Sequence, residues 1–266
     1  MAETTELLTF LGEATSPFHA VEAMIRRLRA AGFTALEQFD GAHMTPGQGY
    51  FTVRQGSSLI AMRAGSDASE AGLRLVGTHT DSPNLSIKPN PVKGRDGCVQ
   101  LGVDVYGGAL LNPWFDRDLG IAGRVTLLAA DGELQSVLFD SKRPVAVVPS
   151  LAIHLDREAN TQRTVNAQKD VVPLVMLGEP QQFDFRQWLA EALAREDAGY
   201  QGARVMDYEL SLYDTQPPAL VGIEEDFVTS ARLDNLLSCY AGLTALINAD
   251  DSHGSVLVAT DHEEVG

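Results

Sequence analysis

The stretch Leu73-Arg74-Leu75-Val76-Gly77-Thr78-His79-Thr80-Asp81-Ser82-Pro83 decides the fold, because a short apolar run gives way at once to polar residues able to ligate a metal. The pattern returns near the end of the sequence. There Ser255 to Ala259 reads as a second apolar strand and runs into Thr260-Asp261-His262-Glu263-Glu264-Val265-Gly266. Between them, Arg232-Leu233-Asp234-Asn235 immediately precedes a helical stretch, Leu236 to Ile247. Open α/β sheets gather functional residues beyond the carboxyl ends of their strands, so these distant segments are expected to meet at one sheet edge.

Upstream of this stretch, Ser16-Pro17 reads as an N-cap followed by a first-turn proline. Val21, Met24, Ile25 and Leu28 then follow helical spacing, and Gly32 is a natural stop. Tyr50 to Arg54 and Leu59 to Arg63 read as strands joined by a Gln55-Gly56-Ser57-Ser58 turn. From about Lys88 to Gly222 the pattern changes. Turn signals at Asp96-Gly97, Gly107-Gly108 and Asp131-Gly132 alternate with strand-like runs such as Gly123 to Leu128 and Val145 to Val148. One helix interrupts them, Arg186 to Arg195, with Trp188, Leu189, Ala192 and Leu193 on its apolar face. The expected organisation is an α/β domain, residues 1–87 and 223–266, with a β-rich domain, residues 88–222, inserted into it.

Composition narrows the function classes. A net charge of −16 argues against a nucleic-acid partner, which needs clustered Lys and Arg; the Arg26-Arg27-Leu28-Arg29 cluster reads as a solvated helix face. The sequence contains no apolar run of the roughly 18 residues that a membrane span needs. The acidic N-terminus lacks the features of a secretory signal, and Cys98 and Cys239 form no framework, so a cytoplasmic globular protein is expected.

Taken singly, the candidate residues have plain structural explanations. Asp234 can cap a helix, and Glu263-Glu264 can be a solvated turn. Together they match the needs of a two-metal hydrolytic site. His79 offers an imidazole nitrogen, and Asp81 is placed to hold the other ring nitrogen. Asp234 has two carboxylate oxygens with which to bridge metals about 3.5–4 Å apart. One carboxylate of the Glu pair ligates a metal while its neighbour stays free to take a proton. Adjacent acids repel unless something positive compensates them.

At these residues the sequence resembles the M18 metallopeptidases, the aspartyl aminopeptidases. The shared strings are Gly77-Thr78-His79-Thr80-Asp81-Ser82-Pro83, Asn112-Pro113-Trp114-Phe115-Asp116-Arg117-Asp118-Leu119 and Val148-Pro149-Ser150-Leu151-Ala152-Ile153-His154-Leu155, followed by Ser230-Ala231-Arg232-Leu233-Asp234-Asn235 and Asp261-His262-Glu263-Glu264-Val265-Gly266. The resemblance implies a doubly wound proteolytic domain, incomplete at its C-terminus, with an inserted dimerisation domain. It also implies homo-oligomers built from dimers, dodecamers among them. Two zinc ions would be held by His79, Asp234 and Glu264, with Asp234 between them. Glu263 would be the general base, Asp81 would orient His79, and His154 would reach a partner subunit's substrate; read from its residues alone, His154 is a core histidine beside a strand. The implied substrates are peptides with N-terminal Asp or Glu.

Family members continue beyond the Glu-Glu motif with further zinc ligands, so the sequence reads as part of a longer protein. The residues that grip an acidic side chain are expected in that later part, with Arg232 a local alternative. Two other readings are a two-metal amidase or deacylase, which the strings in the insertion speak against, and a non-catalytic assembly subunit.

Overall fold

A computed structural model describes residues 2–37, 39, 44–66, 72–129 and 131–266. The chain divides into two compact units, Met1–Ser82 with Pro217–Gly266, and Pro83–Gln216. The changes of sequence pattern at Lys88 and Gly222 fall near these bounds. Lys88-Pro89-Asn90-Pro91 forms a bulge within strand β5 (Asn84–Arg95), where the register against β6 (Cys98–Tyr106) shifts between Ile87 and Val92. Gly222 likewise marks the tip of a hairpin, β11 (Ala219–Val221) and β12 (Phe227–Thr229).

The first unit is a mixed α/β layer. Its sheet runs β1 (Thr34–Ala35), β2 (Gly49–Arg54), β3 (Ser58–Arg63), β13 (Gly254–Thr260), β4 (Leu73–His79). Strand β13 is parallel to β4 and antiparallel to β3. The β2–β3 turn places Gln55 and Gly56 both at positive φ, the twist that a tight hairpin needs.

Helices α1 (Ala2–Glu13), α2 (Pro17–Ala30) and α4 (Leu233–Ile247) share one apolar core with the sheet. Phe10, Met24 and Leu28 from the first two helices join Leu59 and Leu257 from the strands and Leu236 and Leu243 from α4. The start of α2 is as expected: Ser16 caps it, accepting from the His19 amide, and Pro17 occupies the first turn. Helix α1 is the element that composition conceals, although Leu7, Phe10, Leu11 and Ala14 carry a helical period and the last three are buried. Arg27 pairs with Glu6 and Glu13, and Arg26 pairs with Glu13, so these two arginines of the basic cluster are spent on an ion-pair network between α1 and α2. Helix α4 lies close on the sheet because position 242 is glycine; a Cβ there would meet Leu257 Cδ1 at 2.8 Å and Val76 Cγ1 at 3.3 Å.

The opposite face of this sheet has a different character. Leu73 and Leu75 of β4 are 59% and 65% exposed, while Ile60, Met62, Val256 and Val258 are half-buried. Strand β4 is an edge strand among the described residues.

The second unit is an antiparallel sheet in the order β8 (Leu134–Asp140), β7 (Leu119–Leu128), β10 (Arg204–Asp214), β5, β6, β9 (Leu174–Leu177). Val145 to Val148, expected as a strand, makes only isolated bridges, Ala146 to Leu119, Val147 to Leu174 and Val148 to Phe115. The first two link the starts of β7 and β9 and curl the sheet on itself. Helix α3 (Phe185–Glu196), capped by Asp184, packs Phe185, Leu189 and Leu193 into that core. Among the described residues no helix is long and apolar enough to cross a membrane.

Candidate metal centre

The site forms where β4 and β13 end side by side. Their parallel register sets Thr260 against His79, so the polar residues following each strand emerge together. Helix α4 returns across the sheet and brings its own start to the same place. Asp234 and Asn235 have non-helical backbone angles, so the regular helix begins after them and Asp234 is no ordinary cap.

His79 is the pivot. Its Nδ1 lies 3.1 Å from the Asp81 carbonyl and 3.3 Å from Asp81 Oδ1. Both are acceptors, which places the ring proton on Nδ1 and leaves the Nε2 lone pair facing outward. Nε2 lies 3.3 Å from Asp234 Oδ1 and 3.8 Å from Glu263 Oε2. A lone pair aimed at two carboxylates is repulsive unless a cation, either a proton or a metal, sits between them. The ring is only 13% exposed, whereas the Asp234 and Glu263 side chains are 85% and 61% exposed. The nitrogen is therefore fixed and the carboxylates face solvent.

Asp81 does more than orient the ring. It is fully buried, and its carboxylate also accepts the backbone N–H of Glu263 at 3.3 Å and of Glu264 at 3.1 Å. One carboxylate thus holds His79 and the Glu-Glu turn together. Burial raises the pKa of nearby Asp261, opposed by a hydrogen bond from Ser57 and by His262. The Asp261 amide is bonded to Ser58 Oγ, which ties this turn to β3.

The donor set suits zinc. In a tetrahedral site with bonds of about 2.0–2.1 Å, neighbouring donors lie about 3.3–3.5 Å apart. The separation of His79 Nε2 from Asp234 Oδ1 matches that spacing. Among the described residues no three such donors close around one point; His79 and Asp234 face each other with Glu263 beside them. Glu264 is held through its backbone.

Other expected residues lie elsewhere. His154 is in the second unit, exposed in a turn, so its reading as a core histidine is wrong. Its neighbours Leu151, Ile153 and Leu155 are exposed as well, and residues 151–155 form no strand. Arg232 is half-buried and its Nε donates to the Ala14 carbonyl, which makes it a strut to the first helices. The sequence reading missed Ser82, Asn235 and Cys239, whose side chains bond the backbone of the site residues.

Cys239 is fully buried, its thiol donates to the His79 carbonyl, and burial pushes its pKa up to about 11; Cys98 is half-buried. Titration of the native chain with a thiol reagent is expected to modify Cys98 quickly and Cys239 only after denaturant is added. Equal rates for both would contradict the packing of α4 on β4.

A mixed α/β unit with a histidine and carboxylates gathered at parallel strand ends is an arrangement suited to metal-dependent hydrolysis. The family model for aminopeptidase I zinc metalloproteases (M18) matches residues 10–266. The chain belongs to the M18 family of zinc metallopeptidases. It is 53% identical over 262 residues to a probable M18 family aminopeptidase 2 of Ectopseudomonas mendocina (strain ymp), covering 98% of this chain and 61% of the relative. The chain therefore spans about three-fifths of the length of the curated relatives it matches. Among solved structures it resembles a chain in the complex of Ape4 and Nbr1, with a TM-score of 0.91 and 33% identity over 100% of this chain and 55% of that one. It also resembles the S. cerevisiae mApe1 dodecamer, with a TM-score of 0.79 and 25% identity over 98% of this chain and 60% of that one.

Proposed function

We propose that the protein is a two-zinc aminopeptidase that removes N-terminal residues, Asp and Glu foremost, from peptides. The observation that carries this reading is His79, held through Nδ1 by Asp81 and presenting Nε2 to Asp234 and Glu263. His79 and Asp234 would hold one ion, and Asp234 and Glu264 the other. Bound zinc supplies Lewis acidity toward a peptide carbonyl and lowers the pKa of a water toward about 7.

The chain's own residues do the rest. Asp81 keeps the His79 tautomer fixed and the Glu-Glu turn in place. Glu263, exposed and next to the His79–Asp234 pair, accepts the proton of the attacking water and returns it to the leaving amine. The preference for acidic residues rests on the family resemblance. The β-rich insertion, residues 88–222, would form the dimers from which a larger homo-oligomer is built, in line with the dodecamer found for mApe1. The exposed turn that carries His154 is free to offer its ring to a second copy's substrate. A cytoplasmic location fits the two free cysteines and the acidic composition.

The test is cleavage of aspartyl, glutamyl, leucyl and lysyl chromogenic amides, with and without chelator and added zinc. Chelator-sensitive cleavage favouring the acidic amides is expected. Preference for leucyl or lysyl amides would overturn the specificity, and cleavage unaffected by chelator would overturn the metal mechanism.

A further inference from the structure

Asp234 poses a problem that its neighbours solve. A metal-binding constellation must be held to within about 0.5 Å of its working geometry. Yet the Asp234 side chain is 85% exposed and its backbone lies outside the regular helix, so neither packing nor the helical hydrogen-bond ladder positions it. Three bonds tie this segment to the end of β4. The Ser82 hydroxyl donates to the Asp234 carbonyl at 2.8 Å. The His79 amide donates to Asn235 Oδ1 at 3.2 Å. One helical turn on, the Cys239 thiol donates to the His79 carbonyl at 3.1 Å.

The bonds are reciprocal. The residue after Asp234 accepts from the peptide group of His79, and a residue three beyond His79 donates to the peptide group of Asp234. Neither segment can slide along the other without breaking at least one bond. The spacing between Nε2 and Oδ1 is thereby fixed through the backbones. Ser82 is itself buried, so no water replaces its bond readily.

We propose that Ser82 and Asn235 are positioning residues that set the His79–Asp234 spacing and so the affinity of the site for zinc. This rests on the zinc-site reading above, with the two ideas separable by experiment. Neither residue touches the ion; each acts through the backbone of a ligand.

The experiment measures zinc affinity of this chain by competition with a chromogenic chelator, together with the melting temperature without metal. Ser82→Ala and Asn235→Leu are expected to weaken zinc binding by about 10–100-fold, the range seen when outer partners of metal ligands are removed. Asn235→Asp keeps an acceptor oxygen for the His79 amide and is expected to bind at least as tightly as wild type. The metal-free melting temperature of Ser82→Ala should stay close to wild type while the zinc-induced rise shrinks. If Asn235→Leu fails to fold, Ser82→Ala decides, since it deletes a single hydroxyl. Wild-type affinity in a folded Ser82→Ala would overturn the inference while leaving the site intact. If wild type binds zinc no better than His79→Ala, the zinc-site reading falls and the inference falls with it.

Discussion

Replacing Glu263 with Gln is expected to lower kcat by about 10²–10⁴-fold, the usual worth of a general base, while KM and bound zinc stay near wild type. The substitution preserves shape and hydrogen bonding but removes the ability to take a proton. Glu263 Oε2 is 3.8 Å from His79 Nε2, farther than the 3.3 Å of Asp234, and its side chain is exposed. That position suits a base beside an ion better than a ligand on it. Steady-state kinetics of an active preparation, paired with metal analysis, separates the two roles. If the variant loses zinc along with turnover, Glu263 is a ligand and the division of labour in the Glu pair is reversed. Near-normal turnover with zinc in place would remove Glu263 from the mechanism.

Gly123→Ala should destabilise the β-rich unit by at least about 3 kcal/mol, at the upper end of the cost of overpacking. Gly123 lies within β7 at a φ of +152°, paired with Leu210 of β10. A Cβ there would sit 2.0 Å from the Glu209 carbonyl oxygen, a contact no rotamer change relieves because both sides are backbone. Either the two strands separate or the β7 backbone shifts, and both break the ladder. Gly108→Ala is the control: a Cβ at that position meets nothing within 4 Å, and its effect should stay within about 0.5 kcal/mol. Thermal and urea melts of both variants make the comparison. Matching melts would mean that β7 and β10 do not pair in this register.

Several features were legible in the sequence because each depends on local chemistry. Ser16 and Pro17 announce a helix start through capping, Gln55-Gly56 a tight hairpin through positive φ, and the apolar runs before His79 and Asp261 mark strands that stop at polar residues. The residue types of the candidate site could be chosen for the same reason: imidazole and carboxylate are what a zinc site requires. Membership of the M18 family was likewise carried by strings of sequence.

Other features had no local signature. Nothing local marks Lys88-Pro89-Asn90-Pro91 as part of a strand, because its prolines cannot donate to a ladder; only the partner strand and the Tyr208 hydroxyl, bonded to the Lys88 and Pro89 carbonyls, make it a bulge within β5. His154 looks buried because its neighbours are apolar, yet the chain leaves that turn exposed. Nothing within the string Thr78-His79-Thr80-Asp81 tells that Asp81 also holds the amides of Glu263 and Glu264, or that Asn235 accepts from His79. Which groups are available, and which strands and helices carry them, can be read along the chain, because propensity, capping and ligand chemistry act over a few residues. Which of those groups meet depends on the folded arrangement, because the parallel pairing of β4 with β13 and the return of α4 set distances between segments that are remote along the chain.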